Sequence, residues 1–311
     1  VGNRNKFFIL SAALLLATLL FSLFGGVKLD IQFKGGTMIT YSYTGKIDQD
    51  VLDSVVEEQL GLEANLTEKV DPASGLNMLE ISFADSAGLT IGRQTALTQA
   101  LQKEFPDNEL NLEESNDVNP SMGQEFFIKC LVAVGVAAIL MIIYIAIRFR
   151  RIGGWSAGVT SVIALFHDVV MVYAVFLFFR IPLNANFVAA ALTILGYSIN
   201  DTIVIYDRIR ENKKLMGDKV PFAELVNTSI NQSFARSLNT TICTLMSMAV
   251  VCIVAFIFDV DSIITFAFPM IIGMISGVYS SVCLSGPMWV VWNEWKAKRA
   301  SNSQGHKKKK K

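Results

Sequence analysis

Phe126-Phe127-Ile128-Lys129-Cys130-Leu131-Val132-Ala133-Val134-Gly135-Val136-Ala137-Ala138-Ile139-Leu140-Met141-Ile142-Ile143-Tyr144-Ile145-Ala146-Ile147 carries one charge, at Lys129, and runs straight into Arg148, Arg150 and Arg151. A helix crossing the hydrocarbon of a bilayer needs about 20 apolar residues, and residues 126–147 supply them. Five more runs of this kind lie on either side, at 7–24, 155–179, 187–207, 237–258 and 263–292. The first follows Arg4 and Lys6. Its apolar stretch exceeds the roughly 7–15 residues of a secretory signal, and no small-x-small cleavage site follows, so it reads as an uncleaved anchor.

The composition agrees. A hydrophobic share of 52%, 17% charged residues and a mean hydropathy of +0.45 exclude a disordered chain, a disulfide-stapled secreted module and a strongly basic nucleic-acid binder. The formal net charge is zero, but its distribution is not even. Residues 25–125 hold 6 Lys/Arg and 18 Asp/Glu, while the other residues hold 21 and 9. One part is acidic and water-soluble; the other is apolar with basic edges. The basic residues sit between spans two and three (Arg148, Arg150, Arg151), between spans four and five (208–236, with Arg208, Arg210, Lys213, Lys214 and Lys219) and after span six (293–311). The alternate connections, Arg180-Ile181-Pro182-Leu183-Asn184 and Asp259-Val260-Asp261, are poor in them. The positive-inside bias then puts both termini and the basic loops in the cytoplasm and the 25–125 segment outside. The lysines at 307–311 either hold anionic headgroups of the bilayer or form a solvated tail. All four cysteines (Cys130, Cys243, Cys252, Cys283) fall within spans, and no spacing suggests a metal site or a catalytic Cys–His pair.

Within 25–125 the pattern is β-α-β-β-α-β. A strand with a glycine bend, or two short strands, covers Leu29-Asp30-Ile31-Gln32-Phe33, Gly35-Gly36 and 37–43. Asp48 introduces a helix at 49–60 that stops at Gly61. Strands follow at 64–70 and 76–83 around a 71–75 turn, then a helix at 89–105 and a strand at 109–115. This is the split βαβ, or ferredoxin-like, order. The segment has no histidine, no cysteine and no Ser-His-Asp set, so a binding or mechanical role is expected and an enzymatic one is not.

Charges inside a span cost roughly 2.5–3.5 kcal/mol each at the helix centre, so the few present are candidates for function. His167 and Asp168 lie near the middle of span three, as a proton-relay or gating pair or as an interhelical structural bond. In span four, Asp201 follows Tyr197, Ser198 and Asn200 and shares one polar stripe with Tyr197 and Ser198, about 6 Å to the cytoplasmic side of the span's centre. A carboxylate there can serve as a proton carrier if it can be both charged and neutral. At the head of span five, Arg236, Thr240, Thr244 and Ser247 share one face. Arg236 either reaches the interface with its long stem or approaches Asp201 in one conformational state. Asp207 lies on another face, at the boundary with Arg208 and Arg210. In span six Gly273 and Gly277 form a GxxxG pair that permits close helix approach, and Pro269 and Pro287 can kink the helix.

Four motifs carry a resemblance: Leu29-Asp30-Ile31-Gln32-Phe33-Lys34-Gly35-Gly36-Thr37; Ala164-Leu165-Phe166-His167-Asp168-Val169; the long run from Gly196-Tyr197-Ser198-Ile199-Asn200-Asp201-Thr202 to Ile209-Arg210-Glu211-Asn212; and Arg236-Ser237-Leu238-Asn239-Thr240-Thr241. Together the chain resembles the SecF family of protein-export membrane subunits, relatives of the resistance-nodulation-division transporters. Gly153-Gly154-Trp155 departs from the aromatic and charged residues usual there. The resemblance implies a six-span half joined to a SecD-like six-span subunit, working with the SecYEG channel and the SecA motor on an unfolded preprotein in the cytoplasmic membrane. It implies proton flow as the energy source, with no other cofactor, and associates Asp201 and Arg236 with proton passage. No Gly-x-x-x-x-Gly-Lys-Ser/Thr loop is present, so nucleotide hydrolysis is not expected. Because Val1 is not an initiator methionine, an upstream piece, such as a fused SecD, is an open expectation. The alternatives are half of a proton-coupled efflux or lipid transporter, for which a single external domain leaves little room for a pocket, and a passive scaffold. An intramembrane protease would need motifs that are missing.

Overall fold

The computed structural model describes residues 1–61, 64–70, 76–83, 89–118, 120–217, 220–258 and 260–308; the expected 71–75 turn, Lys219, Asp259 and the last lysines lie outside them. The chain opens with α1 (Arg4–Gly25), and a one-turn helix α2 (Ile31–Lys34) leads into an α/β domain. The Leu29–Phe33 stretch was expected to be a strand because its apolar residues alternate. Instead the Asp30 carboxylate accepts the Gln32 N–H at 2.9 Å and starts a helical turn, which Gly35 ends at φ 78°. Asp30 thus acts as a helix cap, and a cap outweighs a short alternation.

The domain continues through β1 (Gly36–Tyr43), α3 (Gln49–Leu60), β2 (Ala64–Val70), β3 (Asn77–Phe83), α4 (Ile91–Glu104) and β4 (Asn111–Val118). The strands form one antiparallel sheet in the order β2-β3-β1-β4. Alternation puts Ile39, Tyr41, Leu79, Ile81 and Phe83 on one face, and Leu52 and Val56 of α3 with Leu97 and Leu101 of α4 close over them. All nine are buried, so they form the core of a domain that has no disulfide among its described residues.

The remainder is helical: α5 (Pro120–Arg148), α6 (Gly154–Phe178), α7 (Ala185–Met216), α8 (Phe222–Ile257), then α9 (Asp261–Tyr279), a π-helical segment Ser280–Ser285 and α10 (Gly286–Lys308) forming one long sixth element. With α1, six helices are long and apolar enough to cross a membrane, and the chain is a multi-pass helical protein. Of residues 208–236, expected as a loop, 208–216 and 222–236 are helical. α7 runs on to Met216, supported by Arg208–Glu211 at 2.6 Å and by Asn212 Nδ2 donating to Ser229 Oγ at 2.8 Å on α8. Hydropathy marks where a helix leaves the hydrocarbon, not where it ends.

α6, α7 and α9 form the centre of the bundle. Gly273 and Gly277 allow this: a Cβ at Gly273 would stand 2.7 Å from Ile194 Cγ1 and 2.8 Å from Val172 Cγ2, and one at Gly277 3.1 Å from Ser198 Cβ. α1, α5 and α8 are peripheral, with only 11% of their apolar windows buried against 56% for α6. Up-and-down packing separates the two ends of the bundle. At one end Arg4 meets Glu294, and Arg148 and Arg210 meet Asp207. At the other, the α/β domain is held by its root. Asp30 N donates to Leu183 O at 3.0 Å, Leu183 N to Lys28 O at 2.9 Å, and Ala185 N to the Gln32 side chain at 3.1 Å. Gly35 packs on α5, where a Cβ at Gly123 would meet Gly35 N at 3.0 Å. Gly36, at φ 145°, opens β1.

Candidate functional site

Among the described residues two aspartates are buried within the helices, and their surroundings differ. Asp168, in the middle of α6, is fully buried and accepts three hydroxyl hydrogen bonds: from Ser198 of α7 at 2.7 Å, Ser276 of α9 at 2.6 Å and Ser280 of the π-segment at 2.6 Å. These distances lie at the short end of the range for O–H···O hydrogen bonds. Three elements therefore converge on one carboxylate. His167 stands beside it, with Nδ1 3.5 Å from Asp168 Oδ1 and 3.3 Å from Ser276 Oγ; its Nε2 is buried without a hydrogen-bond partner. Of the two roles open for this pair, the interhelical bond to neighbouring hydroxyls is what Asp168 makes here.

Asp201, on α7, is 4% exposed, and its Oδ2 has no hydrogen-bond partner. Ser237 of α8 is the polar side chain that faces it, yet Ser237 Oγ is also buried without a partner, so the two do not complete a hydrogen bond. Arg236 forms no ion pair with Asp201. It is exposed, as are Thr240 and Asn200, and the Thr240 hydroxyl turns back to the Arg236 carbonyl at 2.9 Å. On α8, Ser237 points inward and Arg236, one residue earlier, is turned away by about 100°. The expected face of Arg236, Thr240, Thr244 and Ser247 exists, but on the periphery of this chain, with Thr244 reaching inward to Tyr197 at 2.8 Å. Asp207 sits at the basic end, as expected, with Arg148 and Arg210 as its partners, while Arg208 takes Glu211.

Beyond Ser198, a column of hydroxyls that the sequence reading did not single out extends from Asp168 toward the basic end. Ser281 donates to the Ser198 carbonyl at 3.3 Å and meets Thr202 at 2.9 Å. Tyr206 meets Ser285 at 2.7 Å and Ser161 at 3.1 Å. Ser198, Thr202 and Tyr206 recur at four-residue steps on α7, facing the π-segment. The signal was present in Ser280, Ser281 and Ser285 just before Gly286-Pro287. Pro287 offers no N–H to the carbonyl four residues earlier, which frees the ladder to shift to the wider π register. Among the described residues no cluster could hold a metal ion.

A family model described as "Protein export membrane protein SecD/SecF, C-terminal" matches residues 97–295. The chain is 33% identical over 308 residues to the protein translocase subunit SecF of Sebaldella termitidis, covering 98% of this chain and 95% of that one. It is also 33% identical over 302 residues to the protein translocase subunit SecDF of Thermus thermophilus, covering 95% of this chain but 39% of that longer protein. A crystal structure of SecDF from Thermus thermophilus, a translocon-associated membrane protein, superposes with a TM-score of 0.77 at 29% identity, over 94% of this chain and 38% of that one.

Proposed function

Because this chain belongs to the SecD/SecF family of protein-export membrane proteins, we propose that it is the SecF half of an accessory unit of the Sec translocase, one that spends the proton gradient on late steps of export. The similarity to SecDF, where a chain of this kind occupies about two-fifths of a longer protein, supports a SecD-like six-span partner. In this reading SecYEG and SecA are the machinery served, and an unfolded preprotein is the cargo. Both termini lie in the cytoplasm, and the α/β domain, ferredoxin-like in its strand order, lies outside. The unit is not an enzyme, and the gradient, worth about 2.3 kcal/mol per charge per 100 mV, replaces a cofactor.

The observation that carries this reading is the unpartnered Asp201 oxygen at the α7–α8 contact. A neutral acid is tolerated against Ser237; a charged one is costly there unless a cation or water reaches it. Proton occupancy therefore biases how α7 and α8 meet. Turning α8 by the angle of one residue brings the Arg236 guanidinium to the place Ser237 holds, giving the charged form its own stable arrangement. Two states favoured by two protonation states are what coupling requires. Asp168, already satisfied, fastens α6, α7 and the sixth span around that moving contact.

The test is translocation in vesicles holding the complete translocase, with and without an imposed proton gradient. Asp201→Asn is expected to assemble and to keep gradient-independent translocation while losing the gradient's stimulation. Arg236→Ala should behave the same way. A normal response to the gradient in Asp201→Asn would reduce the chain to a passive scaffold.

A further inference from the structure

A cavity of about 1060 Å³ opens at the basic end of the bundle, between α5, α6 and α10. That exceeds the usual span of small-molecule sites, about 300–1,000 Å³. Ile143 and Ile147 give it an apolar wall, and Trp155, Trp292 and Trp295 frame its mouth. All three tryptophans are well exposed. Tryptophans in this setting mark the level of lipid headgroups.

The rim is positive: Arg150, Lys296 and Arg299 line it. Nearby cations are matched, Arg4 by Glu294 through two bonds of 3.0 and 2.9 Å, Arg148 and Arg210 by Asp207, and Arg208 by Glu211. Among the described residues the three rim cations have no carboxylate partner; Arg299 instead lies over the Trp295 ring at 5.0 Å. An apolar trough with an aromatic collar and an unneutralised triad of cations is complementary to one class of molecule. We propose that this groove binds a phospholipid with an anionic headgroup, its phosphate among Arg150, Lys296 and Arg299 and an acyl chain along Ile143 and Ile147. A partner helix of ordinary apolar sequence would leave those charges unmatched, and a zwitterionic lipid would neutralise them only in part.

The groove reports on itself by fluorescence, since Trp155, Trp292 and Trp295 line it and the only other tryptophan, Trp289, is buried. The full chain is reconstituted in phosphatidylcholine vesicles doped with dibrominated phosphatidylglycerol or dibrominated phosphatidylcholine, and quenching is titrated. Each basic residue near an anionic surface contributes about fivefold in affinity, so quenching should show at least a roughly fivefold preference for the anionic lipid. Arg150→Gln/Lys296→Gln/Arg299→Gln should lower it below about twofold, and removing residues 307–311 should leave it intact. These side chains are exposed, and the single substitutions, each giving a partial loss, report the same contribution if the triple variant fails to fold. Equal quenching by both lipids, a preference that survives the substitutions, or one that vanishes with residues 307–311 would each overturn the proposal.

Discussion

Asp168→Ala removes the shared acceptor of Ser198, Ser276 and Ser280 in a single step. Hydrogen bonds to a charged group in soluble proteins contribute about 1.5–3 kcal/mol each, which would put the loss above about 4 kcal/mol. Interhelical hydrogen bonds in a membrane protein average only about 0.6 kcal/mol, with a maximum near 1.7. Two of the serines also have somewhere else to turn: Ser280 Oγ lies 3.1 Å from the Gly277 carbonyl, and Ser276 Oγ 3.3 Å from His167. The lower estimate therefore governs, and Asp168→Ala should cost about 2 kcal/mol. Asp201→Asn is the control within the same bundle. It breaks no hydrogen bond at Oδ2 and removes a carboxylate that lacks a cation, so the change should be within about 0.5 kcal/mol of zero or stabilising. Reversible unfolding in mixed micelles titrated with dodecyl sulfate, followed by far-ultraviolet circular dichroism, measures both. A double-mutant cycle of Asp168→Ala with Ser276→Ala isolates one bond and should show a coupling of about 0.5 kcal/mol or more. If Asp168→Ala were as harmless as Asp201→Asn, the reasoning that separates a fastening carboxylate from a working one would fail.

Two further outcomes follow, one from the titration of the α/β domain and one from the packing of the helical bundle. Burial, aided by Glu68, raises the Tyr43 phenol to about 12. A tyrosine in the denatured chain ionises near 10, so domain stability should hold below about pH 10 and fall as pH rises toward about 12. Alkaline unfolding should be less steep in Tyr43→Phe, with Tyr41 supplying part of what remains; an unchanged slope would count against the assignment. Gly273→Ala places a methyl within 2.8 Å of Ile194 and Val172 side chains and should destabilise the bundle by about 1–3 kcal/mol in the same micelle assay; wild-type stability would mean that α9 packs less closely than described.

The sequence announced its six spans because hydrophobic length is a one-dimensional quantity, and 126–147 needs no partner to be recognised. The domain's four strands and two long helices were legible from alternation and glycine stops for the same reason. What escaped depends on neighbours. Asp30 belongs to a run that alternates like a strand, and only its side chain folding back onto Gln32 N makes it a cap. Arg208–Met216 looked like a loop because charges end a membrane span, though they do not end a helix. Ser276 and Ser280 are unremarkable in a span until α6 sets a carboxylate opposite them. Arg236 and Asp201 are each conspicuous in sequence, but which of Arg236 and Ser237 faces α7 is a matter of helix rotation that spacing within one helix does not fix.

The pairing of Lys28, Asp30 and Gln32 with Leu183 and Ala185 means that the soluble domain does not hang from a slack tether. It is stitched by backbone amides to the corner where α7 begins, and α7 is the same rigid rod that carries Asp201 farther down. To swivel, the domain must either tear those stitches or drag the corner with it. In the function proposed above, force on the cargo and charge movement at Asp201 would share one mechanical axis through that corner.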